Sequence, residues 1–245
     1  MDCAIQLINV SKRFSLERKR LTMFRTLRDK LLRAGAIADG FYALKDINLT
    51  VLRGERIGVV GDNGSGKTTL LKVIARLHRP DAGQVFVDGD LCLLAGIGTG
   101  MLNELSVWEN VYLYGAIYGM SRQQTRENFQ EIIEWAELQD FQGAMLKDLS
   151  SGMRTRLAFS VARHIQTDVL LLDEALSAGD RNFRQKCSDY FEASRQSSRT
   201  FLVASHELDF IRTFCARTLW LHRGRQMAFG ETSEVLSQYT QSKLK

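Results

Sequence analysis

The sequence is poor in the features that mark linkers, membrane spans and metal cages. Its 245 residues include one proline, which excludes a proline-rich stalk. No apolar run approaches the roughly 18–20 residues that a membrane-spanning helix needs, and the N-terminal residues lack the apolar stretch of a secretory signal peptide. The four cysteines form no Cys-x-x-Cys pair, which argues against a zinc cage or a redox pair. These absences predict a globular protein of a reducing compartment.

The excess positive charge is concentrated in one segment. The net charge is +5, and residues 16–33 alone carry seven Lys or Arg against two Asp or Glu. Met23, Leu27 and Leu31 are spaced as on one face of a helix, so we expect a short basic amphipathic helix there. It is either a solvated charged face or a contact for anionic lipid headgroups or a membrane partner. A local patch does not resemble a surface that binds nucleic acid, and no such partner is predicted.

Short apolar runs and helical patterns alternate along the chain. We predict a buried strand over 57–60, as in a parallel sheet with both faces covered, and a helix over 70–77. Residues 99–165 are mostly helical in pattern, most clearly over 123–137 and 153–165. The remaining predicted elements are strands at 5–10, 168–175 and 200–207, a hairpin-like bend between 84–90 and 91–95, and a hairpin over 219–230 closed at Arg223-Gly224-Arg225.

Residues 61–68 read GDNGSGKT and fit the pattern G-x-x-x-x-G-K-[ST]. A buried strand precedes this segment and a helix follows it, as a phosphate-binding loop requires. Glycines let backbone N–H groups approach phosphate oxygens, and the helix adds its positive end. Lys67 should reach the β- and γ-phosphates, Thr68 should ligate Mg²⁺, and Thr69 should help to hold the α-phosphate. The other predicted phosphate contacts are Gly61, Asp62, Asn63, Gly64, Ser65 and Gly66; the alternative is an ordinary glycine turn.

Two further polar sites follow predicted strands. In VLLLDE the carboxylates of Asp173 and Glu174 come at the end of an apolar strand, where ligands of open α/β sheets collect. We expect Asp173 to hold Mg²⁺ and Glu174 to polarise the water that attacks the γ-phosphate. His206 follows the next strand and can hydrogen-bond the γ-phosphate. Taken alone, the Asp-Glu strand end could equally be structural, and a lone histidine after a strand usually is.

Together these motifs resemble the ATP-binding cassette (ABC) ATPases over nearly the whole chain. LSSGM at 149–153 stands where that family usually has LSGGQ, and SAGD at 177–180 matches its SALD loop and keeps Asp180. In the family this serine-glycine segment faces the ATP of a second subunit, so the resemblance implies a head-to-tail homodimer with two ATP molecules between the subunits. The predicted contacts are Ser150, Ser151, Gly152 and Met153; taken alone, they could be a simple helix cap.

The resemblance also implies the fold and the domain organisation. We expect an α/β P-loop NTPase cassette with a RecA-like parallel sheet core, an antiparallel β subdomain and a helical subdomain at about 99–165. Residues 1–245 would form a single nucleotide-binding domain with a basic insertion at about 16–41. No C-terminal glycan-binding domain is expected.

The sequence departs from the family between Cys92 and Arg122, where no glutamine is present to contact Mg²⁺. The segment GIGTGMLNELSVWEN resembles the subfamily that exports bacterial polysaccharides, and backbone groups near Gly96–Gly100 or water would replace the glutamine. Adenine usually stacks on an aromatic ring in the first strand region. Phe14 and Tyr42 are both candidates, and either could instead be a core aromatic.

The resemblance implies the ATPase subunit of an exporter with ATP and Mg²⁺ as cofactors. It would couple to two copies of a polytopic permease at the cytoplasmic face of the inner membrane and move a lipid-linked glycan, an O-antigen or capsular polymer. Alternatives are an exporter of teichoic acid or of a small molecule, or an importer. A soluble ABC ATPase of DNA repair or ribosome work is less consistent, because those chains carry long coiled coils or two cassettes.

Overall fold

A computed structural model of the protein describes residues 2–15, 40–96, 98–173 and 181–243. Glu174, Asp180 and the basic segment 16–33 lie outside these residues. The strands are β1 (Cys3–Ser15), β2 (Gly40–Leu52), β3 (Arg56–Val60), β4 (Ala82–Val87), β5 (Leu91–Ala95), β6 (Val169–Asp173), β7 (Thr200–Ala204), β8 (Arg217–His222) and β9 (Arg225–Glu231). The helices are α1 (Lys67–Ile74), α2 (Val107–Ile117), α3 (Arg122–Ala136), α4 (Ser151–Ala162), α5 (Arg181–Ala193), α6 (Leu208–Phe214) and α7 (Thr232–Ser242).

The nine described strands form one mixed sheet in the order β4-β1-β2-β9-β8-β3-β7-β6-β5. The run β8-β3-β7-β6-β5 is parallel throughout, and β4-β1-β2 is antiparallel. The α/β class predicted from the sequence, with a parallel core and an antiparallel β unit, is therefore confirmed. Strand β1 is longer than the predicted 5–10, because its pairing with β2 continues to Ser15 and Gly40.

The central strands are buried on both faces. Leu170 and Leu172 of β6 belong to the apolar cluster that contains the helices between β5 and β6, whereas Val169 and Leu171 belong to the cluster around α1. Alternate side chains of a strand point to opposite faces, so an unbroken apolar run is what such a strand requires. The same reasoning applies to 57–60 and 200–204, and all three predicted buried strands are present. The strand predicted over 200–207 ends at Ala204, and the one predicted over 168–175 is Val169–Asp173 within the described residues.

The predicted hairpin-like bend between β4 and β5 is wrong. The two strands lie at opposite ends of the sheet order, with β4 paired to β1 and β5 paired to β6. The sheet curls around α1, which packs against strands of both halves, and this brings the two edges close together. Gly89, at φ 97°, makes the short connection, and the backbone N–H of Asp90 donates to Asp168 Oδ2 at 2.8 Å.

A helical unit and a hairpin complete the fold. Helices α3 and α4 correspond to the two clearest helical patterns of the sequence, and Ser106 and Ser121 begin α2 and α3 with capping boxes. The predicted hairpin at 219–230 is confirmed as β8–β9, and its turn residues Arg223 and Gly224 both have positive φ, 47° and 74°. Within the described part of the chain, no helix is both long enough and apolar enough to cross a bilayer.

Candidate functional site

Three neighbouring parallel strands end at the same level and place the predicted site residues together. Ala204 of β7 is the register partner of Val59 in β3 on one side and of Asp173 in β6 on the other. The loop 61–66 leaves β3 at this edge, Asp173 ends β6 there, and His206 follows β7. Carboxyl ends of parallel strands are where open α/β sheets bind ligands. The structure thus brings together the phosphate loop, Asp173 and His206 from three separate parts of the sequence.

The glycines of the loop are required by close backbone contacts. A Cβ atom on Gly61 would lie 2.3 Å from the carbonyl oxygen of Leu221, and one on Gly66 would lie 2.5 Å from that of Ala43. Gly66 has φ 111° and caps the N-terminus of α1 without a side chain of its own. Any larger residue at these positions would push the loop away from the strands that support it. The N–H groups at the start of α1 are consequently accessible to an anion.

Lys67 curls back over the loop that precedes it. Only 6% of its surface is exposed, and Nζ donates to the carbonyl of Gly61 at 2.8 Å and to that of Asp62 at 3.2 Å. A buried ammonium group must be matched by acceptors, and these carbonyls hold it at the mouth of the loop. The positive charge therefore lies where the β- and γ-phosphates were predicted.

His206 lies beside this ammonium group, as the sequence predicted for the phosphate side of the sheet. Its Nε2 is 3.4 Å from Lys67 Nζ, and the imidazole is exposed. An ammonium group can only donate, so a hydrogen bond between the two groups is formed only by the tautomer of His206 that has a lone pair on Nε2.

Asp173 provides the test of whether a metal fits this edge. Its Oδ1 is buried, and among the described residues no group donates a hydrogen bond to it. A buried carboxylate oxygen without a partner is costly, and Mg²⁺ prefers such hard oxygen ligands. Thr68 lies in the first turn of α1 and is exposed. The donor set of Asp173 and Thr68 therefore suits Mg²⁺.

The predicted serine-glycine segment forms the start of α4. Ser150 is the N-cap, and its Oγ accepts a hydrogen bond from the N–H of Met153 at 3.2 Å. Arg154 holds this turn by donating to the carbonyls of Leu149 at 3.0 Å and Lys147 at 2.8 Å. The cap interpretation thus applies to Ser150, while Ser151 in the first turn is exposed. A capped, exposed helix N-terminus remains suited to an anion from outside the chain.

The segment where the family glutamine is missing is held by two buried residues that sequence reasoning did not find. Tyr114, fully buried, accepts a hydrogen bond from the N–H of Gly98 at 3.2 Å, and burial raises the pKa of its hydroxyl. Asn110, also fully buried, bonds Leu102 through both ends of its amide, at 2.8 and 2.9 Å. The only signal in the sequence for the roles of Tyr114 and Asn110 was that both are polar residues on the buried face of a helix. These hydrogen bonds hold the backbone at Gly98 and at Leu102, within and beside the predicted substitute for the glutamine.

The two candidate adenine contacts lie in different surroundings. Phe14 pairs with Phe41 across β1 and β2, and its ring meets His78 edge-on at 5.4 Å. Tyr42 points to the other face of this ribbon, is 48% exposed, and has Lys45 Nζ 5.3 Å from its ring centre. Phe14 thus has aromatic neighbours, Phe41 and His78, whereas Tyr42 is half exposed and has both Lys45 and Arg13 near its ring. These contacts do not decide between the two rings, so both residues remain candidates for stacking on adenine.

Replacing each ring by alanine distinguishes the candidates. Removing the ring that stacks on adenine is expected to weaken ATP binding about 5- to 150-fold, since a base–aromatic stack contributes about 1–3 kcal/mol. Removing the other ring should leave ATP affinity within about twofold. Calorimetric titration with ATP and with inorganic triphosphate gives the measurement, because the second ligand has no base and should bind both variants alike. Equal losses for ATP and triphosphate would contradict any stacking role.

A sequence model of the family described as "ABC transporter" matches residues 44–177, which is over half of the chain. The chain belongs to the ABC transporter family. It is 41% identical over 199 residues to the teichoic acids export ATP-binding protein TagH of Shouchella clausii, covering 81% of this chain and 55% of that protein. The TagH protein of Bacillus anthracis is 36% identical over 241 residues, 98% of this chain and 43% of its own.

A further relative and a solved structure are also ABC proteins. ABC transporter protein AbcA of Aeromonas salmonicida is 40% identical over 81% of this chain and 65% of its own length. This ABC chain spans about half the length of the TagH relatives it matches. Among solved structures, the ATP-binding cassette MJ0796, in a dimeric post-hydrolysis state bound to ADP and Pi, superposes with a TM-score of 0.74 at 23% identity, covering 93% of this chain and 98% of that one. The ABC cassette fold is thereby confirmed.

ATP and Mg²⁺ are the ligands of ABC ATP-binding domains, and the site of this cassette suits both. The loop 61–66, the start of α1 and Lys67 would hold the phosphates, while Asp173 and Thr68 would hold Mg²⁺. When bound, the metal neutralises charge that develops on the phosphate oxygens. In this arrangement the backbone N–H groups of the loop would fix the phosphates, and Lys67 and His206 would be directed at them.

Proposed function

We propose that this chain is the ATP-hydrolysing subunit of an ABC exporter that moves a lipid-linked polymer of the cell envelope. The observation that carries the proposal is the similarity to teichoic acids export ATP-binding proteins over as much as 98% of the chain. The nucleotide edge formed by the phosphate loop, Asp173 and His206 supplies the chemistry. In this proposal Glu174 polarises the attacking water, and ATP binding and hydrolysis drive the transport cycle.

The relatives favour teichoic acid as the polymer, which was the alternative interpretation of the sequence. Three relatives from Shouchella, Bacillus and Lactiplantibacillus, at 36–41% identity, carry that name. The second candidate is an O-antigen or capsular polymer, which the GIGTG segment and the following glutamate-asparagine pair favour. Both are lipid-linked glycans, so the chemistry of the ATPase would be the same, and selection of the polymer would lie largely with the permease.

The proposal includes a homodimer in which each ATP molecule lies between two subunits. Ser151 and Gly152, at the exposed start of α4, would cover the triphosphate held by Lys67 of the other copy, and Asp180 would link the two sites. A helix N-terminus that is capped by Ser150 and held by Arg154 is rigid enough for this task. Two identical surfaces of this kind are complementary under twofold symmetry.

The permease would bind the helical unit between β5 and β6. Exposed apolar side chains lie there on adjoining segments: the N–H of Trp108 donates to the carbonyl of Gln142 at 3.1 Å, and Ser106 bridges to Met145. Leu102, Trp108, Phe141 and Met145 are each 45–49% exposed. An apolar patch with polar surroundings is typical of a docking site for a partner helix. This contact would hold the chain at the cytoplasmic face of the membrane, with residues 16–33 directed to anionic headgroups or to the permease.

Purification of the tagged chain from membranes of its own host tests the function. We expect a stoichiometric polytopic membrane protein and a retained lipid-linked polymer, identified by mass spectrometry, and ATP hydrolysis by the purified complex. A polymer rich in phosphodiesters supports teichoic acid, and a phosphate-poor polysaccharide supports the second candidate. Recovery of nucleic acid or ribosomes without a membrane subunit would overturn the proposal.

Double substitution of Trp108 and Met145 to Ser should release the permease and leave ATP hydrolysis by the free chain intact.

A further inference from the structure

Helix α7 ends beside the phosphate loop. The Tyr239 hydroxyl donates to Asp62 Oδ1 at 3.2 Å, and Lys243 Nζ lies 3.2 Å from the same oxygen. Lys243 Nζ is also 4.6 Å from the centre of the Tyr239 ring, so the two side chains from one helix end act on one carboxylate oxygen together. Asp62 is the second residue of the loop, and its carbonyl accepts the hydrogen bond from Lys67. One residue thus connects α7 to the ammonium group of the site.

The negative charge of the Asp62 carboxylate disfavours the binding of phosphate groups to the loop. A negative charge beside a phosphate-binding site repels the triphosphate unless another charge offsets it. Lys243 supplies that offset, and the hydrogen bond from Lys243, with the weaker one from Tyr239, holds the pKa of the Asp62 carboxyl below its ordinary value. The Asp62 side chain is 54% exposed and that of Lys243 51% exposed, so solvent weakens the pair without removing it.

Helix α7 is a fixed support for this contact. Tyr239 is 3% exposed and its ring packs against Trp220 of β8 with centres 5.7 Å apart. Leu236 is buried in the larger apolar cluster, and Thr232 Oγ1 donates to the carbonyl of Cys215 at 2.8 Å. The helix is therefore anchored at both ends before it reaches Asp62. These residues lie beyond the range 44–177 that the family sequence model matches.

We propose that Tyr239 and Lys243 are positioning residues for nucleotide binding, which offset the charge of Asp62 and hold the start of the phosphate loop in the shape that accepts a triphosphate. The inference rests on the proposed ATPase function. Because both residues act through the phosphate loop, we expect them to affect the KM for ATP and to leave kcat nearly constant. For a half-exposed pair the expected change is about two- to fivefold.

Steady-state ATP hydrolysis by the purified full chain tests this inference. We expect Lys243→Met to raise the KM for ATP about two- to fivefold at unchanged kcat, Tyr239→Phe to raise it less, and Lys243→Arg to restore it. Arg122→Gln removes one exposed positive charge at the start of α3 and is the matched control, with an unchanged KM. Circular dichroism melting identifies any variant that is merely unfolded, and direct titration with a non-hydrolysable ATP analogue provides the same comparison without turnover.

The same substitutions in an Asp62→Asn background separate the proposed route from a direct one. If Lys243 acts through the Asp62 charge, Lys243→Met changes the KM in the native background and has no effect once Asp62 has lost its charge. An equal effect in both backgrounds, or no effect in the native one while the unmodified chain and Arg122→Gln hydrolyse ATP normally, overturns the inference. Absence of ATP binding by the unmodified chain would instead overturn the proposed function.

Discussion

Lys67→Ala is expected to abolish measurable ATP binding. The substitution removes the charge at the mouth of the loop and leaves the carbonyls of Gly61 and Asp62 without the ammonium group that they now face. Hydrogen bonds between a charged donor and phosphate oxygens are the strong class, and the loss of the ammonium group that we propose bonds two phosphates should weaken binding by at least roughly 10²–10³-fold. Isothermal titration with MgATP measures the loss, and ATP hydrolysis should fall with it.

The matched control for this variant is Lys72→Ala, which removes a lysine from the last turn of the same helix. That variant should bind ATP within about twofold of the native chain, since helix propensity favours alanine and the residue lies away from the loop. Near-native ATP affinity of Lys67→Ala, with an unchanged melting curve, would contradict the assignment of the loop as the triphosphate site.

Glu174→Gln is expected to bind ATP and to hydrolyse it about 10²–10⁴-fold more slowly. The amide keeps the size of the side chain but cannot accept a proton from the attacking water. Glu174 follows Asp173 directly in the chain, and Asp173 holds an unpartnered carboxylate oxygen among the described residues at the edge of the sheet. Rapid-quench single-turnover assays separate the chemical step from product release. If the homodimer proposal is right, the variant should also accumulate as an ATP-loaded dimer in size-exclusion chromatography.

Glu192→Gln, on the exposed part of α5, is a suitable comparison, because it removes one carboxylate outside the site. Hydrolysis by this variant should stay within about twofold of the native rate. A Glu174→Gln chain that turned over ATP at a near-native rate would exclude Glu174 as the base and would direct attention to His206.

The elements that could be predicted from the sequence are those whose signal is local. The strand 57–60, the glycine loop and the helix after it are contiguous, and glycine, lysine and threonine at fixed spacing leave few alternatives. The strand that ends in Asp173 and the strand before His206 were recognisable because burial on both faces requires an unbroken apolar run. Their meeting at one edge followed from the rule for parallel strands.

The features that escaped prediction depend on contacts between distant parts of the chain. The separation of β4 from β5 follows from the curl of the sheet around α1, and a three-residue connection looks like a hairpin when only the sequence is read. Gly224 donates its N–H to the carbonyl of Ser65 at 2.9 Å, and the Tyr239 hydroxyl donates to Asp62. A glycine or a tyrosine in the sequence does not indicate which distant residue it will contact. Buried Tyr114 and Asn110 are likewise ordinary residues of a helical pattern until the loop they bind is known.

The residues that support the nucleotide loop from distant parts of the chain affect when the site can form during protein synthesis. Leu221, Gly224 and Tyr239 all contact residues 61–66, although the ribosome makes them about 160–180 residues later. Until the last hairpin and α7 emerge from the exit tunnel, the nascent loop lacks its outer supports. We therefore expect the nucleotide pocket of this cassette to be completed only after β9 and α7 have been synthesised.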